Sequence, residues 1–166
     1  MHTLARVGLC AATLTVVISP ATVFGIGKAA ADTRVALDSD LRRCDFSIVT
    51  TAAMVPHPGL GDGIALIRTS GSQAIAEVHL VDAPDPGTHF DVGLIQEPRP
   101  SSASCGPGDP GTAFTGMDTD AAGSATVTIQ DTIRQGTTGV WVIIKRPNAN
   151  SQNPAEFYTS EFVAPV

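Results

Sequence analysis

Two β-type runs joined by a Gly/Thr-rich connection, within residues 124–146, constrain the fold of this chain most. The second run, residues 140–144, contains the only tryptophan, Trp141, and lies between Gly139 and Pro147. It has β-branched residues at both odd and even positions, which face opposite sides of a strand. Such a composition is typical of a strand that is covered on both faces. The pattern therefore predicts a strand near the middle of a sheet, with Trp141 at the centre of the core.

Residues 1–31 have the pattern of an export signal. Residues 1–6 are a short basic opening, residues 7–27 are small and apolar, and residues 29–31 are three alanines, which favours cleavage before Asp32. Pro20 and two glycines interrupt the apolar run and no charged stop follows, so a cleaved signal is favoured over a retained membrane anchor. We therefore expect residues 32–166 to form a single exported domain, without a membrane contact after cleavage.

The acidic balance of the chain limits its partners. Removal of residues 1–31 takes away Arg6 and Lys28 and leaves eight basic residues against 16 acidic ones, a formal net charge of −8. Nucleic acids and anionic lipids require a cationic surface. Neither is therefore expected as a partner.

Two cysteines remain after cleavage, Cys44 and Cys105. An even number of cysteines in an oxidising compartment predicts a disulfide. A metal or catalytic thiol pair is the alternative, but it would normally show a close spacing or a nearby histidine, which this sequence lacks.

Most of the remaining chain alternates short apolar runs with turns. Residues 32–43 are expected to be a surface tail or a short edge strand, and residues 44–54 the first full strand. A hairpin is predicted from residues 63–69 and 74–81 around a Gly-containing turn. Further strands are expected at residues 88–96, 113–117, 124–132, 140–144 and 156–164, with long polar loops at 97–112 and 147–154.

The strand count indicates an all-β domain: an antiparallel, immunoglobulin-like β-sandwich of seven or eight strands with one disulfide. A β-barrel is the alternative architecture. No stretch in which apolar residues recur at the spacing of a helix is long enough to predict one.

Three outward-facing residues on consecutive strands, His79, His89 and Asp91, are candidate metal ligands. If the two strands pair as a hairpin, these side chains would share a divalent ion. If they do not pair, the same residues are a solvated strand face. The Asp-x-Asp-x-x-Gly turn at residues 118–123 matches part of a calcium loop, but Ile129 stands where a bidentate glutamate is needed, so Asp capping of a turn is favoured.

The sequence has none of the hydrolase motifs G-x-S-x-G, S-x-x-K and H-E-x-x-H, so the spacing of its serines and histidines does not indicate a hydrolase. We therefore predict no catalytic residues and no cofactor.

The sequence Thr-Asp-Ala-Ala-Gly-Ser-Ala-Thr-Val at residues 119–127 resembles a turn-strand element of prealbumin-like and immunoglobulin-like extracellular domains. The Ala-rich signal and several local sequences are similar to those of small exported proteins of actinobacteria, mycobacteria especially: Cys-Asp-Phe at 44–46, Pro-Gly-Thr-His-Phe-Asp-Val at 86–92, Cys105, and Tyr-Thr-Ser-Glu-Phe at 158–162. This resemblance implies a β-sandwich in the cell envelope or outside the cell, and it carries no functional residues. Trp141 follows both cysteines, unlike the tryptophan of antibody domains.

The expected function is that of a secreted or cell-envelope domain without catalysis, which binds another protein or an envelope component through loops 97–112 and 147–154. Long loops on a rigid scaffold usually carry recognition. The alternatives are a metal-dependent or hydrolytic enzyme that uses the His79/His89/Asp91 face, and a purely structural role in the envelope.

Overall fold

A computed structural model describes residues 32–49 and 59–166 of the chain. Within these ranges the protein is all-β, antiparallel and free of helix. The strands are β1 (Thr33–Asp38), β2 (Asp62–Ser70), β3 (Gln73–Val81), β4 (His89–Glu97), β5 (Thr112–Asp118), β6 (Ser124–Thr132), β7 (Gly139–Arg146), β8 (Glu156–Ser160) and β9 (Ala164–Pro165). The prediction of an antiparallel all-β fold with one disulfide is confirmed.

All nine strands belong to one continuous sheet, in the order β5-β4-β7-β8-β1-β2-β3-β6, with β9 paired to β7. The two outermost strands, β5 and β6, are consecutive in the chain and contact each other. The sheet therefore curls around its core until it is nearly a barrel, and its two layers are two parts of the same sheet.

The main core lies inside this curl. Alternating residues of β3 point into it, namely Ala74, Ala76, Val78 and Leu80, as the period of the sequence predicted. Phe90, Val92 and Leu94 of β4 do the same. The hairpin of β2 and β3 turns at Gly71, whose φ of 59° is the left-handed conformation that glycine tolerates.

Strand β7 is buried on both faces, as predicted, but Trp141 is not at the centre of the main core. Side chains alternate along a strand, so Val140, Val142 and Ile144 enter the main core while Trp141 points outward. It is fully buried there in a second, smaller cluster with Ile95 and Ile143, covered by residues such as Phe46 and Cys105. The prediction that Trp141 centres the core is wrong.

The N-terminal part of the domain also differs from expectation. Residues 33–38 form neither a tail nor an edge strand: β1 pairs with β2 on one side and β8 on the other, and Val35 and Leu37 are buried. Residues 44–49 form a loop rather than the first strand, with one bridge between Arg42 and Ile48. The rest of that predicted strand, like residues 1–31, lies outside the described residues.

The last predicted strand is interrupted. Residues 156–160 form β8, and residues 164–165 form β9 after a three-residue break. At the break the backbone N–H of Glu161 donates to Ala36 of β1, and the hydroxyl of Ser160 accepts from the N–H of Val142 at 2.8 Å. Both β8 and β9 pair with β7, so the chain stays beside β7 across the break without leaving these groups unpaired.

Candidate functional site

The two loops that the sequence analysis predicted as contact surfaces lie at opposite ends of the sheet. One loop follows β4 and the other follows β7, and these two strands are antiparallel partners. Each loop lines a cavity, of about 370 Å³ at the β4–β5 loop and about 270 Å³ at the β7–β8 loop.

The larger cavity has two arginines in its wall, and we call it the arginine pocket. It is lined by Pro98, Arg99, Pro100, Ser102, Ala103, Ser104, Pro110 and Arg134. All but Arg134 come from the β4–β5 loop. Arg134 comes from the connection between β6 and β7, which the sequence analysis did not select.

Arg99 holds the β4–β5 loop in shape. Its Nε donates to the carbonyl of Gln96 at 3.1 Å, its Nη1 donates to the carbonyl of Ser104 at 2.7 Å, and its Nη2 donates to the carbonyl of Pro110. A guanidinium has more N–H groups than these three bonds use, and carbonyls do not neutralise its charge. Arg99 therefore keeps both donors and positive charge for a ligand.

Gln96 places Arg134 beside Arg99. Its side chain is fully buried and donates to Asp131 Oδ2 at 2.6 Å and to the carbonyl of Thr132 at 2.8 Å. Its Oε1 accepts from the backbone N–H of Arg134 at 2.9 Å and from the hydroxyl of Thr137 at 2.7 Å. One buried amide thus fixes the β6–β7 connection to the end of β4.

Gly111 lets the Arg134 side chain lie across the loop. It has a φ of 70°, and a Cβ at this position would collide with the guanidinium of Arg134. The positive φ favours glycine here, and a side chain at this position would also displace the guanidinium of Arg134 from its place across the loop.

The two arginines of the pocket form no close ion pair within the described residues. Arg42 and Arg146 form ion pairs with carboxylates, whereas Arg99 and Arg134 form none in residues 32–49 and 59–166. Partial burial, followed by the positive charge of Arg134, lowers the pKa of Arg99, and the negative charges of Glu97, Asp109 and Asp131 oppose this shift. An anion in the cavity would stabilise both charged side chains.

The disulfide anchors the loop from outside. Cys105 bonds Cys44 across 61 residues, and beside this bond Phe46 packs edge-on against Trp141 with ring centroids 5.5 Å apart. At the start of β5, the Thr112 hydroxyl shares its one hydrogen between the carbonyls of Gly106 at 2.9 Å and Asp109 at 2.8 Å. The loop is therefore held in one conformation around the cavity.

The smaller cavity is lined by Asp91, Lys145 and Arg146 together with residues of the polar loop that follows β7. Its mixed charges favour polar contacts. The structure thus places a cavity at both predicted contact loops.

The structure brings two of the three predicted metal ligands together. His89 Nε2 lies 3.6 Å from Asp91 Oδ1, and its Nδ1 lies 2.7 Å from Oδ1 of Asp118, which raises the pKa of His89. His79 contacts neither: it hydrogen bonds Glu77 at 2.9 Å and Thr126 at 3.0 Å.

Strand pairing explains this separation. β3 pairs with β2 and β6, whereas β4 pairs with β5 and β7, so the hairpin that would have joined His79 to His89 does not form.

The turn at residues 118–123 has the capping role that the sequence analysis favoured. Asp120 Oδ1 accepts from the N–H groups of Ala122 at 2.8 Å and Ser124 at 2.9 Å. Gly123 has a φ of 76°. Asp120 Oδ1 thus caps the turn that leads into β6.

Comparisons with protein-family models, curated proteins and solved structures found no match for this chain. No helix long and apolar enough to cross a membrane occurs in residues 32–49 and 59–166.

Proposed function

We propose that this protein is an exported, non-catalytic binding domain that captures a carboxylate-bearing segment of another protein in the arginine pocket. One observation carries the proposal: Arg99 and Arg134 line the same cavity, and neither forms an ion pair in the described part of the chain. Arginine binds carboxylates through paired, charge-assisted hydrogen bonds.

The size and walls of the arginine pocket support a side chain or chain end as the ligand. About 370 Å³ is at the lower end of the volumes of small-ligand pockets. Three prolines give the walls a restricted backbone, so little conformational entropy would be lost on binding. In a domain with a net charge of −8, this local positive charge would select where an acidic partner docks.

The disulfide supports the proposed location. A bond between Cys44 and Cys105 is consistent with an extracellular protein, because cytosolic thiols are usually kept reduced. The sequence pattern of residues 1–31 supports export independently.

The test compares Arg134→Gln with Arg34→Gln. Arg134 is exposed in the pocket wall, while Arg34 is exposed on β1 outside it, so both variants remove one surface charge. The wild-type protein and each variant would be titrated with acidic peptides and with inorganic phosphate, and amide NMR spectra recorded. We expect the peptide to shift residues 98–111 and 133–138 in the wild-type protein and in Arg34→Gln, less so in Arg134→Gln and at high salt.

Two results would overturn the proposal: no shift with any acidic peptide, or shifts of equal size in Arg134→Gln. A response to phosphate but not to peptides would assign the pocket to a phosphate-bearing envelope component instead. Crosslinking with mass spectrometry on the producing cells, done with both variants, would then identify the native partner.

The polar loop after β7 is the second contact surface in this proposal. Two of its asparagines, Asn148 and Asn153, and its glutamine, Gln152, line the smaller cavity, and all three can donate and accept hydrogen bonds. Deletion of residues 149–152 should weaken partner capture in a pull-down from culture, and unchanged capture would remove this surface from the proposal.

A further inference from the structure

Three carboxylates meet at the end of the sheet opposite the arginine pocket. Asp82 follows β3, Asp85 lies in the connection to β4, and Glu156 begins β8. Each offers an oxygen, and these oxygens all lie within 4.8 Å of one another. We call these residues the acidic cluster.

One member of the acidic cluster is buried without a partner. Asp82 is 1% exposed, and its buried Oδ2 has no hydrogen-bond donor among the described residues. A buried carboxylate oxygen without a partner loses its hydration and gains nothing in return. Such a group in a folded protein calls for an explanation, and a bound water or cation supplies one.

The neighbouring donors are used by the other two carboxylates. Arg146 Nη1 lies 2.8 Å from Asp85 Oδ2 and 3.6 Å from Glu156 Oε2. The hydroxyl of Tyr158 donates to Glu156 Oε1 and accepts from the N–H of Gly61 at 2.9 Å. Neither donor serves Asp82, and one arginine against three ionised carboxylates leaves two negative charges unbalanced.

Burial raises the pKa of Asp82, and the charges of Glu156 and Asp85 raise it further. The ionised form of Asp82 is thus disfavoured in the absence of a cation. A divalent ion would reverse this balance because it attracts all three carboxylates.

We propose that the acidic cluster binds a hard divalent cation, Ca²⁺ in particular, with Asp82, Asp85 and Glu156 as ligands. The ligand set is all oxygen, which suits calcium and magnesium rather than zinc or copper. Calcium is favoured because it accepts irregular geometry, whereas magnesium requires a near-ideal octahedron. This site is independent of the arginine pocket and does not rest on its proposed function.

Terbium luminescence tests the site directly. Tb³⁺ binds calcium sites, and it emits when a nearby aromatic side chain transfers energy to it. The protein has one tyrosine, Tyr158, and its hydroxyl contacts Glu156 of the cluster. In the wild-type protein we expect sensitised emission that Ca²⁺ displaces, together with a rise in melting temperature on addition of CaCl₂.

Asp82→Asn is the main test variant because it keeps the shape of the side chain and removes its charge. It should weaken Ca²⁺ binding by about tenfold or more. Asp85, whose side chain is 45% exposed, provides a second variant, Asp85→Asn, if Asp82→Asn does not fold. The control is Glu161→Gln, an exposed glutamate just beyond the other end of β8, which should bind Ca²⁺ like the wild-type protein.

The proposal is overturned if the wild-type protein shows no sensitised emission and no thermal shift with Ca²⁺. It is also overturned if the folded Asp82→Asn or Asp85→Asn variant binds Ca²⁺ as tightly as Glu161→Gln.

Discussion

The indole Nε1 of Trp141 donates a 2.9 Å hydrogen bond to Oε1 of Glu97, and both residues are buried. Trp141 belongs to β7, while Glu97 ends β4 at the point where the β4–β5 loop begins. Burial raises the pKa of Glu97, and the indole hydrogen bond opposes this shift. This pair therefore connects the smaller hydrophobic cluster to the base of the arginine pocket.

Trp141→Phe should destabilise the protein by about 2 kcal/mol, because the buried Glu97 carboxylate loses the indole donor and the smaller ring leaves a cavity in the cluster. The measurement is urea denaturation followed by circular dichroism. Glu97→Gln is the matched control. Its amide keeps an acceptor for the indole and removes the buried charge, so the decrease in the free energy of unfolding should be smaller. Equal losses in the two variants would contradict the importance of this hydrogen bond.

Removal of the disulfide should cost about 2–4 kcal/mol, since the bond closes a loop with a sequence separation of 61 residues. The double variant Cys44→Ser/Cys105→Ser can be compared with the wild-type protein by thermal denaturation. It should also be cleaved faster by proteases within residues 98–111, which lose their anchor. Free thiols in the natively produced protein, shown by mass spectrometry after alkylation, would contradict the predicted bond.

Gln96→Ala should cost about 2–4 kcal/mol and release the β6–β7 connection, because four hydrogen bonds to the buried amide are lost. Trypsin provides a local readout: the bond after Arg134 is already exposed, and release of the connection makes its backbone flexible enough to be cleaved. The control is Gln152→Ala, an exposed glutamine in the loop after β7, which should be cleaved like the wild-type protein. Unchanged cleavage of Gln96→Ala at Arg134 would show that Gln96 does not position this arginine.

The stability of the calcium-free protein should fall as the pH rises from about 4 towards neutral. Burial raises the folded-state pKa of Asp82, so its stabilising protonated form is complete below the unfolded pKa and is lost as the pH rises through the folded pKa. Asp82→Asn should have a flatter pH profile and be no less stable at pH 7. Glu97 has a raised pKa in both proteins, so the difference between their denaturation curves isolates Asp82.

His89 should titrate above its ordinary pKa of 6.5, chiefly because it hydrogen bonds Asp118. Its contribution to stability is therefore present below pH 6.5 and lost as the pH rises through the folded pKa. An NMR titration of the imidazole protons measures this midpoint directly. Asp118→Asn should lower it, whereas Asp38→Asn, an exposed residue at the end of β1, should leave it unchanged.

The local sequence pattern was sufficient to predict where most strands lie. It was insufficient to predict which strands pair with each other. The alternation in residues 74–80 correctly predicted which side chains of β3 are buried, because side-chain direction follows directly from extended backbone. The same reasoning could not show that β3 pairs with β6 instead of β4, since pairing depends on how the whole chain closes. For this reason the sequence could not decide whether His79 lies near His89 and Asp91.

The arginine pocket and the acidic cluster had weak sequence signals. Arg99 lay in a predicted contact loop, but Arg134 is a lone arginine in a polar connection, 35 residues further along the chain. Asp82, Asp85 and Glu156 come from two regions more than 70 residues apart. No spacing rule joins such positions, because only strand order brings them together.

The amino-acid sequence alone determined the secondary structure class, most strand positions and the pairing of Cys44 with Cys105, because these follow from side-chain period and cysteine number. Tertiary structure decided that Trp141 lies outside the main core, that β1 is an interior strand, and which charged residues share a site. The physical reason is closure of the sheet: hydrogen bonds between strands distant in sequence select which faces and ends meet, and local preference cannot encode that choice.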